Sequence, residues 1–286
     1  MPRYITVRTI KACYPKKREW SHKGDFGRLL IVGGSLKYSG APALSALSAL
    51  AALRGGCDLV TVAAPERAAN IIASFSPDLI AEPLKGTCFN SGHVRHVLGM
   101  ADQSDAVVIG GGLGRKKETV SFVRNLLSRL GRPCVIDADA IFAVSGNPAT
   151  IKESFILTPH AKEFSLLSGS EPGTNLRKRE QETRKLAKAL NATILLKGHV
   201  DVISDGKETL LNRTGNPWMT KGGTGDILSG TCGAFLSMSN PPFNAACAAA
   251  HLTGLAGDRA KKEIGPGLIA SDLVATIPEV LKTILK

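Results

Sequence analysis

The 286-residue chain is poor in aromatics, at 5%, and its six cysteines are scattered without one Cys-x-x-Cys pair. That spacing argues against a zinc ribbon or a disulfide framework and for reduced thiols. No alternating basic–aromatic strand, zinc finger or helix-turn-helix is present, so the usual routes to nucleic-acid readout are missing. No apolar run spans a bilayer core of ~30 Å; the longest, Ala41–Leu53, is built mostly from alanine. The opening Met-Pro-Arg-Tyr lacks the basic-then-apolar order of a signal peptide, which makes the cytoplasm the expected location. Internal repeats, low-complexity tracts and long linkers are also absent. What remains is a chain long enough to bury a sizeable core, read most economically as one domain.

Acidic residues are outnumbered, 24 against 36 basic ones, for a net charge of +12. Half of that excess lies in residues 1–28, where Arg3, Arg8, Lys11, Lys16, Lys17, Arg18, Lys23 and Arg28 face only Glu19 and Asp25. A basic arm suits nucleic acid. A positive field drawing in a multiply phosphorylated small substrate explains the charge as well and fits the missing nucleic-acid motifs better.

Strand-like and helix-like segments alternate. Arg28–Gly34 reads as a buried strand entering a glycine turn, and Ala41–Leu53 as a helix with Pro42 in its first turn. Leu44, Leu47, Leu50 and Leu53 recur every third residue along it. Asp58–Ala63 completes a βαβ unit. Further strands are expected at 105–110, 133–137, 154–158 and 192–197, with a hairpin from Val200–Ser204 to Thr209–Asn212 around Asp205-Gly206. Helices are expected at 119–130, 175–190, 226–238, 243–262 and 271–285. The pattern predicts an α/β fold: a central, mainly parallel sheet with helices on both faces. Ligands in such sheets bind beyond the strand C-terminal ends.

The run Thr220-Lys221-Gly222-Gly223-Thr224-Gly225-Asp226 leads directly into a long apolar helix. Glycines there let the backbone take positive φ and present N–H groups to an anion at the positive end of a helix dipole. Asp226 is then either a base beside a bound phosphate or a plain helix-end carboxylate. Gly33-Gly34 is not followed by Gly-x-Gly-x-x-Gly, so a tight dinucleotide turn is disfavoured and a wider pocket or a plain turn remains. Gly110-Gly111-Gly112-Leu113-Gly114 is dense enough in glycine to signal close backbone approach to a ligand or a neighbouring strand. His160 can donate to a phosphate or carbonyl or act as acid or base, or be structural, and Glu163 can cap the helix that follows it. Lys197, at a strand end beside Gly198, is either a point charge for phosphate or a solvated lysine. Asp137 and Asp139, as alternate residues of an extended chain, would share one face and could serve Mg²⁺ or a turn.

Taken in order, Lys23-Gly24-x-x-Gly27, Tyr38-Ser39-Gly40-Ala41-Pro42, Gly110-x-Gly112-Leu113-Gly114, Asp137-Ala138-Asp139-Ala140, Thr158-Pro159-His160-x-x-Glu163, Lys197-Gly198, Gly215-Asn216 and Gly222-Gly223-Thr224-Gly225-Asp226 resemble the ADP- or ATP-dependent NAD(P)H-hydrate dehydratase family. The resemblance runs from about Lys23 to Lys282 and implies a ribokinase-like fold over residues 23–286, preceded by a basic extension at 1–22. It implies repair of NADHX and NADPHX: a nucleotide phosphorylates the C6 hydroxyl, and phosphate then leaves to restore the double bond. Asp226 would be the base, and the amides of Gly222, Gly223, Thr224 and Gly225 would hold the migrating phosphoryl group. Ala41, Gly112, Gly114 and His160 would line the hydrated-dinucleotide pocket with Asp226. Lys197, Gly198, His199, Val200, Asp201 and Gly225 would meet the adenine nucleotide, ADP or ATP, with Mg²⁺ bridging its phosphates and no residue assigned to the metal. A homo-oligomer, a tetramer in relatives, is implied as well.

Two departures from the family pattern stand out. Gly111 replaces a proline, which should loosen a substrate loop. Ala161-Lys162 replaces Pro-Gly, which should make the loop after His160 less sharply turned. The epimerase domain fused to some relatives is expected to be absent, with no room for it before Lys23. Two rivals predict different behaviour. A small-molecule kinase of the hydroxyethylthiazole or hydroxymethylpyrimidine type would stop at a phosphorylated product. A nucleic-acid binder acting through residues 1–28 would show strongly salt-dependent binding.

Overall fold

The structure, a computed structural model, describes residues 3–16, 19–35 and 40–286, without the side chains of Ala41 and Pro42. Lys17 and Arg18 of the basic arm, and Tyr38 and Ser39 of the second motif, fall outside the described residues.

The chain opens with a short helix α1 (Val7–Cys13), strand β1 (Arg28–Val32), helix α2 (Gly40–Arg54) and β2 (Leu59–Pro65). There follow α3 (Glu66–Ala73), β3 (Ile80–Leu84), α4 (Val94–Asp102), β4 (Ala106–Ile109), α5 (Lys117–Arg129) and β5 (Cys134–Ile136). The second half runs α6 (Ala138–Ser145), β6 (Phe155–Leu157), α7 (Ala161–Ser168), α8 (Leu176–Leu190), β7 (Thr193–Leu196), and the hairpin β8 (Asp201–Ser204) and β9 (Thr209–Asn212). Helices α9 (Thr224–Ser237), α10 (Pro242–Ile264) and α11 (Ala270–Ile284) close it.

One nine-stranded sheet has the order β3-β2-β1-β4-β5-β6-β7-β8-β9. Strands β1 to β7 pair in parallel and the last hairpin antiparallel. The central parallel strands are buried on both faces, while β3 at the sheet edge is partly exposed. In β1, Leu29 and Ile31 enter one core with α1, α2, α9, α10 and α11, while Leu30 and Val32 enter another with α4 to α8. This is the α/β sandwich that the alternation predicts.

Helix α9 lies over the sheet centre and is buried on nearly every side, so it carries small residues where neighbours press close. A Cβ on Gly230 would stand 2.1 Å from the Ser48 carbonyl oxygen of α2, and one on Gly233 2.4 Å from Val108 of β4. That packing fixes where the start of α9 emerges. The strand order reverses between β1 and β4, which opens a crevice at their C-terminal ends. The described part of the N-terminal segment is stitched to the body. Ile5 N donates to Leu211 O at 2.9 Å, Leu211 N to Arg3 O at 2.9 Å, and Ile10 is fully buried against the rest of the core.

Candidate active site

Three successive strands end at charged residues. Asp137 follows β5, the Thr158–His160 turn follows β6, and Lys197 follows β7. Lys197 Nζ lies 3.1 Å from Asp137 Oδ1 and 3.9 Å from Glu163 Oε2, and both carboxylates are buried. Burial alone would lower the lysine pKa, but Asp137, Glu163 and Asp226 outweigh it and hold the ammonium above its ordinary value. Lys197 is therefore not a solvated lysine.

Glu163 reaches this cluster because the residues after His160 turn straight into a helix. Glu163 N donates to His160 Nδ1 at 3.2 Å, and His160 N donates to Glu163 Oε2 at 2.9 Å, a reciprocal cap at the start of α7. This corrects the expectation of a relaxed loop at Ala161-Lys162: the two residues form the first turn of a helix because the cap satisfies its free amides. His160 remains half-exposed at the mouth, with Nε2 3.3 Å from Glu163 Oε1.

The glycine turn before α9 behaves as its composition requires. Gly223 sits at φ 95°, in the left-handed region, as the residue preceding the helix. The Thr224 hydroxyl donates to Met219 O at 2.9 Å and Lys221 O at 3.0 Å, which ties the turn shut. The N–H groups of Gly222, Gly223 and Gly225 take no backbone carbonyl among the described residues. Amides without such partners at the positive end of α9 are what an anion site needs. The position of a Cβ on Gly225 lies 3.5 Å from Lys197 Nζ, so the ammonium flanks the same spot.

Asp226 follows in the first turn. Burial, then the charges of Asp137 and Asp139, push its carboxyl up to about 7 against the opposing pull of Lys197. Such a group exchanges a proton readily at neutral pH, as a general base must. The loop after β4 presses against it: a Cβ on Gly111 would stand 2.6 Å from Asp226 Oδ1. Gly111 is anchored rather than loosened, since its carbonyl accepts from Gly34 N at 2.8 Å. Gly110 has φ 147°, and a Cβ there would meet the Asp137 carbonyl oxygen at 1.8 Å. Close approach to the neighbouring chain is thus what that glycine permits.

A cavity of about 470 Å³ opens beside this constellation and brings together His160, Lys197, Gly198, His199, Asp201, Thr224 and Gly225. Val200 lies apart, lining a neighbouring cavity with Arg179 and Lys162. Gly223 packs against Leu44 and Ala270. Asp201 turns its carboxylate into the scaffold, accepting from Gly198 N at 2.9 Å and Asn212 Nδ2 at 3.0 Å. Its pKa rises through burial, against the lowering effect of these donors. The opposite wall, Thr214, Ala250, Thr253 and Gly254, escapes a reading of the sequence alone. One signal exists: Gly254 interrupts an alanine-rich helix, where glycine costs up to ~1 kcal/mol, and a Cβ there would collide with Thr214 Oγ1.

On the other side, Gly112 and Gly114 take left-handed φ of 65° and 79°. Gly114 N donates to Asp139 Oδ2 at 2.9 Å, and Arg115 Nε to Asp139 Oδ1 at 2.8 Å. The expectation that Asp137 and Asp139 share one face of an extended chain is corrected here. Asp137 precedes α6, Ala138 takes φ 48°, and Asp139 lies in the first helical turn, so the two carboxylates diverge to Lys197 and to Gly114. No group of three His, Cys, Asp or Glu side chains converges as a metal cage among the described residues. Ala41 is the second residue of α2, but its side chain lies outside the described residues.

A family model described as NAD(P)H-hydrate dehydratase matches residues 29–279. The "Bifunctional NAD(P)H-hydrate repair enzyme Nnr" of Pyrobaculum aerophilum is 47% identical over 93% of this chain and 52% of its own. The chain thus spans about half the length of the first curated relatives it matches. The "ADP-dependent (S)-NAD(P)H-hydrate dehydratase" of Cenarchaeum symbiosum is 37% identical over 98% of this chain and 97% of its own. Among solved structures, the ADP/ATP-dependent NAD(P)H-hydrate dehydratase of Bacillus subtilis, co-crystallised with ATP/Mg²⁺, superposes with a TM-score of 0.81 at 25% identity, covering 99% of each chain.

Proposed function

The chain belongs to the NAD(P)H-hydrate dehydratase family, and on that premise we propose that it uses ADP or ATP to dehydrate the S form of NADHX and NADPHX to NADH and NADPH. The observation that carries this reading is the pairing of Asp226, near-neutral in pKa, with the open amides at the start of α9.

The reaction follows from that pairing. Asp226 takes the proton of the C6 hydroxyl. The alkoxide oxygen attacks the terminal phosphorus of the nucleotide, and the bond to the bridging oxygen breaks, releasing AMP or ADP. The amides of Gly222, Gly223 and Gly225 and the Lys197 ammonium receive the charge that spreads over the migrating phosphoryl oxygens. The C6–O bond then breaks with its electron pair leaving on phosphate, and the C5 proton passes to water, so that the C5–H electron pair restores the ring double bond. The nucleotide occupies the cavity lined by Lys197, Gly198, His199 and Gly225. The hydrated ring lies against Asp226 and the Gly110–Gly114 loop, with His160 where it meets the nucleotide cavity.

Mg²⁺ fits as an ion carried by the nucleotide. It keeps several waters and takes few protein ligands in such sites, and the nearby carboxylates Asp137, Glu163 and Asp139 are already occupied by Lys197 and Arg115. When bound, it would neutralise phosphate charge. We read residues 23–286 as one catalytic domain with 1–22 as its basic extension, acting in the cytoplasm as a homo-oligomer.

The test is to supply the full chain with NADHX and Mg-ADP or Mg-ATP and follow the absorbance of reduced nicotinamide. Recovery of that absorbance is expected. A kinase of the same fold would instead accumulate a phosphorylated alcohol with no recovery.

A further inference from the structure

A second cavity, of about 540 Å³, lies farther along the loop that touches Asp226; it is lined by Ser35, Thr87, Cys88, Leu113, Gly114, Arg115 and Lys116. Among the described residues, every hydrogen-bonding side chain in that wall other than the Cys88 thiol is a hydroxyl or a cation, and no carboxylate lines it. The Ser35 residue is only 4% exposed, and its Oγ has no hydrogen-bond partner among the described residues. A buried hydroxyl is almost always satisfied, so an unmet one on a cavity wall points to a group that completes it. Arg115 is held in place through Nε by Asp139 at 2.8 Å and lies over the Phe142 ring at 4.8 Å. That leaves its outer nitrogens to donate elsewhere. Lys116 is exposed.

We propose that this cavity is a phosphate subsite for the hydrated dinucleotide, with Ser35, Arg115 and Lys116 as its readers. The inference rests on the dehydratase reading, because the loop from Gly111 to Lys116 connects Asp226 to the cavity without a break. The reacting ring sits at Gly111, and the phosphate-bearing remainder of the same molecule continues past Gly114. Two phosphates offer the same chemistry: the bridging diphosphate, common to NADHX and NADPHX, and the 2′-phosphate, found only in NADPHX.

The experiment measures calorimetric binding of NAD⁺, NADP⁺ and ADP, separately, to the full-length wild type and to Lys116→Glu and Ser35→Ala. These probes report binding whether or not turnover occurs, so failure of the subsite is distinguishable from failure of the activity. Lys116→Glu should weaken dinucleotide binding about tenfold at low salt, since charge-assisted contacts to phosphate are among the strong ones, and the effect should shrink as salt rises. ADP binding should not change. Loss with NADP⁺ alone assigns the 2′-phosphate; equal loss with NAD⁺ assigns the diphosphate. Ser35→Ala should weaken the same dinucleotide while leaving the free protein as stable as before or more so, because it removes an unmet buried hydroxyl. Unchanged dinucleotide affinity in both variants, or equal weakening of ADP, would overturn the proposal. So would a Ser35→Ala protein that is less stable but binds normally, since the hydroxyl would then be structural.

Discussion

Replacing Asp226 by asparagine should disable the enzyme and stabilise the fold, with both effects governed by one proton. The carboxyl moves from an ordinary 3.8 to about 7 on folding, driven first by burial and then by Asp137. The folded state therefore holds its proton more tightly than the unfolded chain does. The sign follows: this group leaves stability undiminished below about pH 4, where both states are protonated, and erodes it as pH rises towards 7. Each tenfold in affinity for the proton is worth ~1.4 kcal/mol, so the erosion reaches about 4 kcal/mol above pH 7. Asparagine cannot ionise and escapes it. With an unfolding entropy of ~2.1 cal/mol/K per residue, the variant should melt roughly 7 °C above wild type near pH 8 and within about 1 °C of it near pH 4. Its turnover should fall ~10²–10⁴-fold, the usual loss for a general base, and the wild-type rise in rate through about pH 7 should vanish. Calorimetric melting across pH, paired with turnover, gives both numbers. Near wild-type turnover, or a melting gap that does not widen with pH, would refute the reasoning.

Three further outcomes are expected. Lys197→Met leaves Asp137 and Glu163 buried without their cation; urea unfolding should show a loss of ~3–5 kcal/mol, and the pH–rate limb set by Asp226 should move to higher pH. Gly110→Ala forces a Cβ to within 1.8 Å of the Asp137 carbonyl at a φ of 147°; circular dichroism and thermal melting should report a protein destabilised by at least ~3 kcal/mol or not folded. His160→Ala should cost ~1 kcal/mol through loss of its cap, and His160→Asn should restore that stability without restoring the substrate contact. Melting temperature and KM for NADHX separate the two roles.

Much of the fold was legible because parallel strands buried on both faces leave short apolar blocks bounded by glycine or aspartate, as at Leu29–Val32 and Ala106–Ile109. The region from 66 to 102 was not. Strand β3 lies at the sheet edge, so it tolerates Glu82 and Pro83 and shows no apolar run. Helices α3 and α4 are only eight and nine residues long, too brief for their period to stand out. At the site, the glycine turn and Asp226 were readable because their conformation is written in the residues that allow it. The Asp137–Lys197–Glu163 cluster was not. Its members lie up to 60 residues apart and meet only because β5, β6 and β7 are neighbours. Pairing Asp137 with Asp139 by alternation failed for a local reason: the strand ends at Ile136 and a helix begins at Ala138.

The most direct test of the account is to count products in one vessel. Full-length protein, S-NADHX and Mg-ADP should yield NADH, AMP and inorganic phosphate in equal amounts, and a parallel reaction tests ATP, with ADP as the spent nucleotide. A phosphorylated NADHX that persists, or NADH formed without nucleotide cleavage, would contradict a mechanism in which Asp226 prepares the hydroxyl for phosphoryl transfer and elimination.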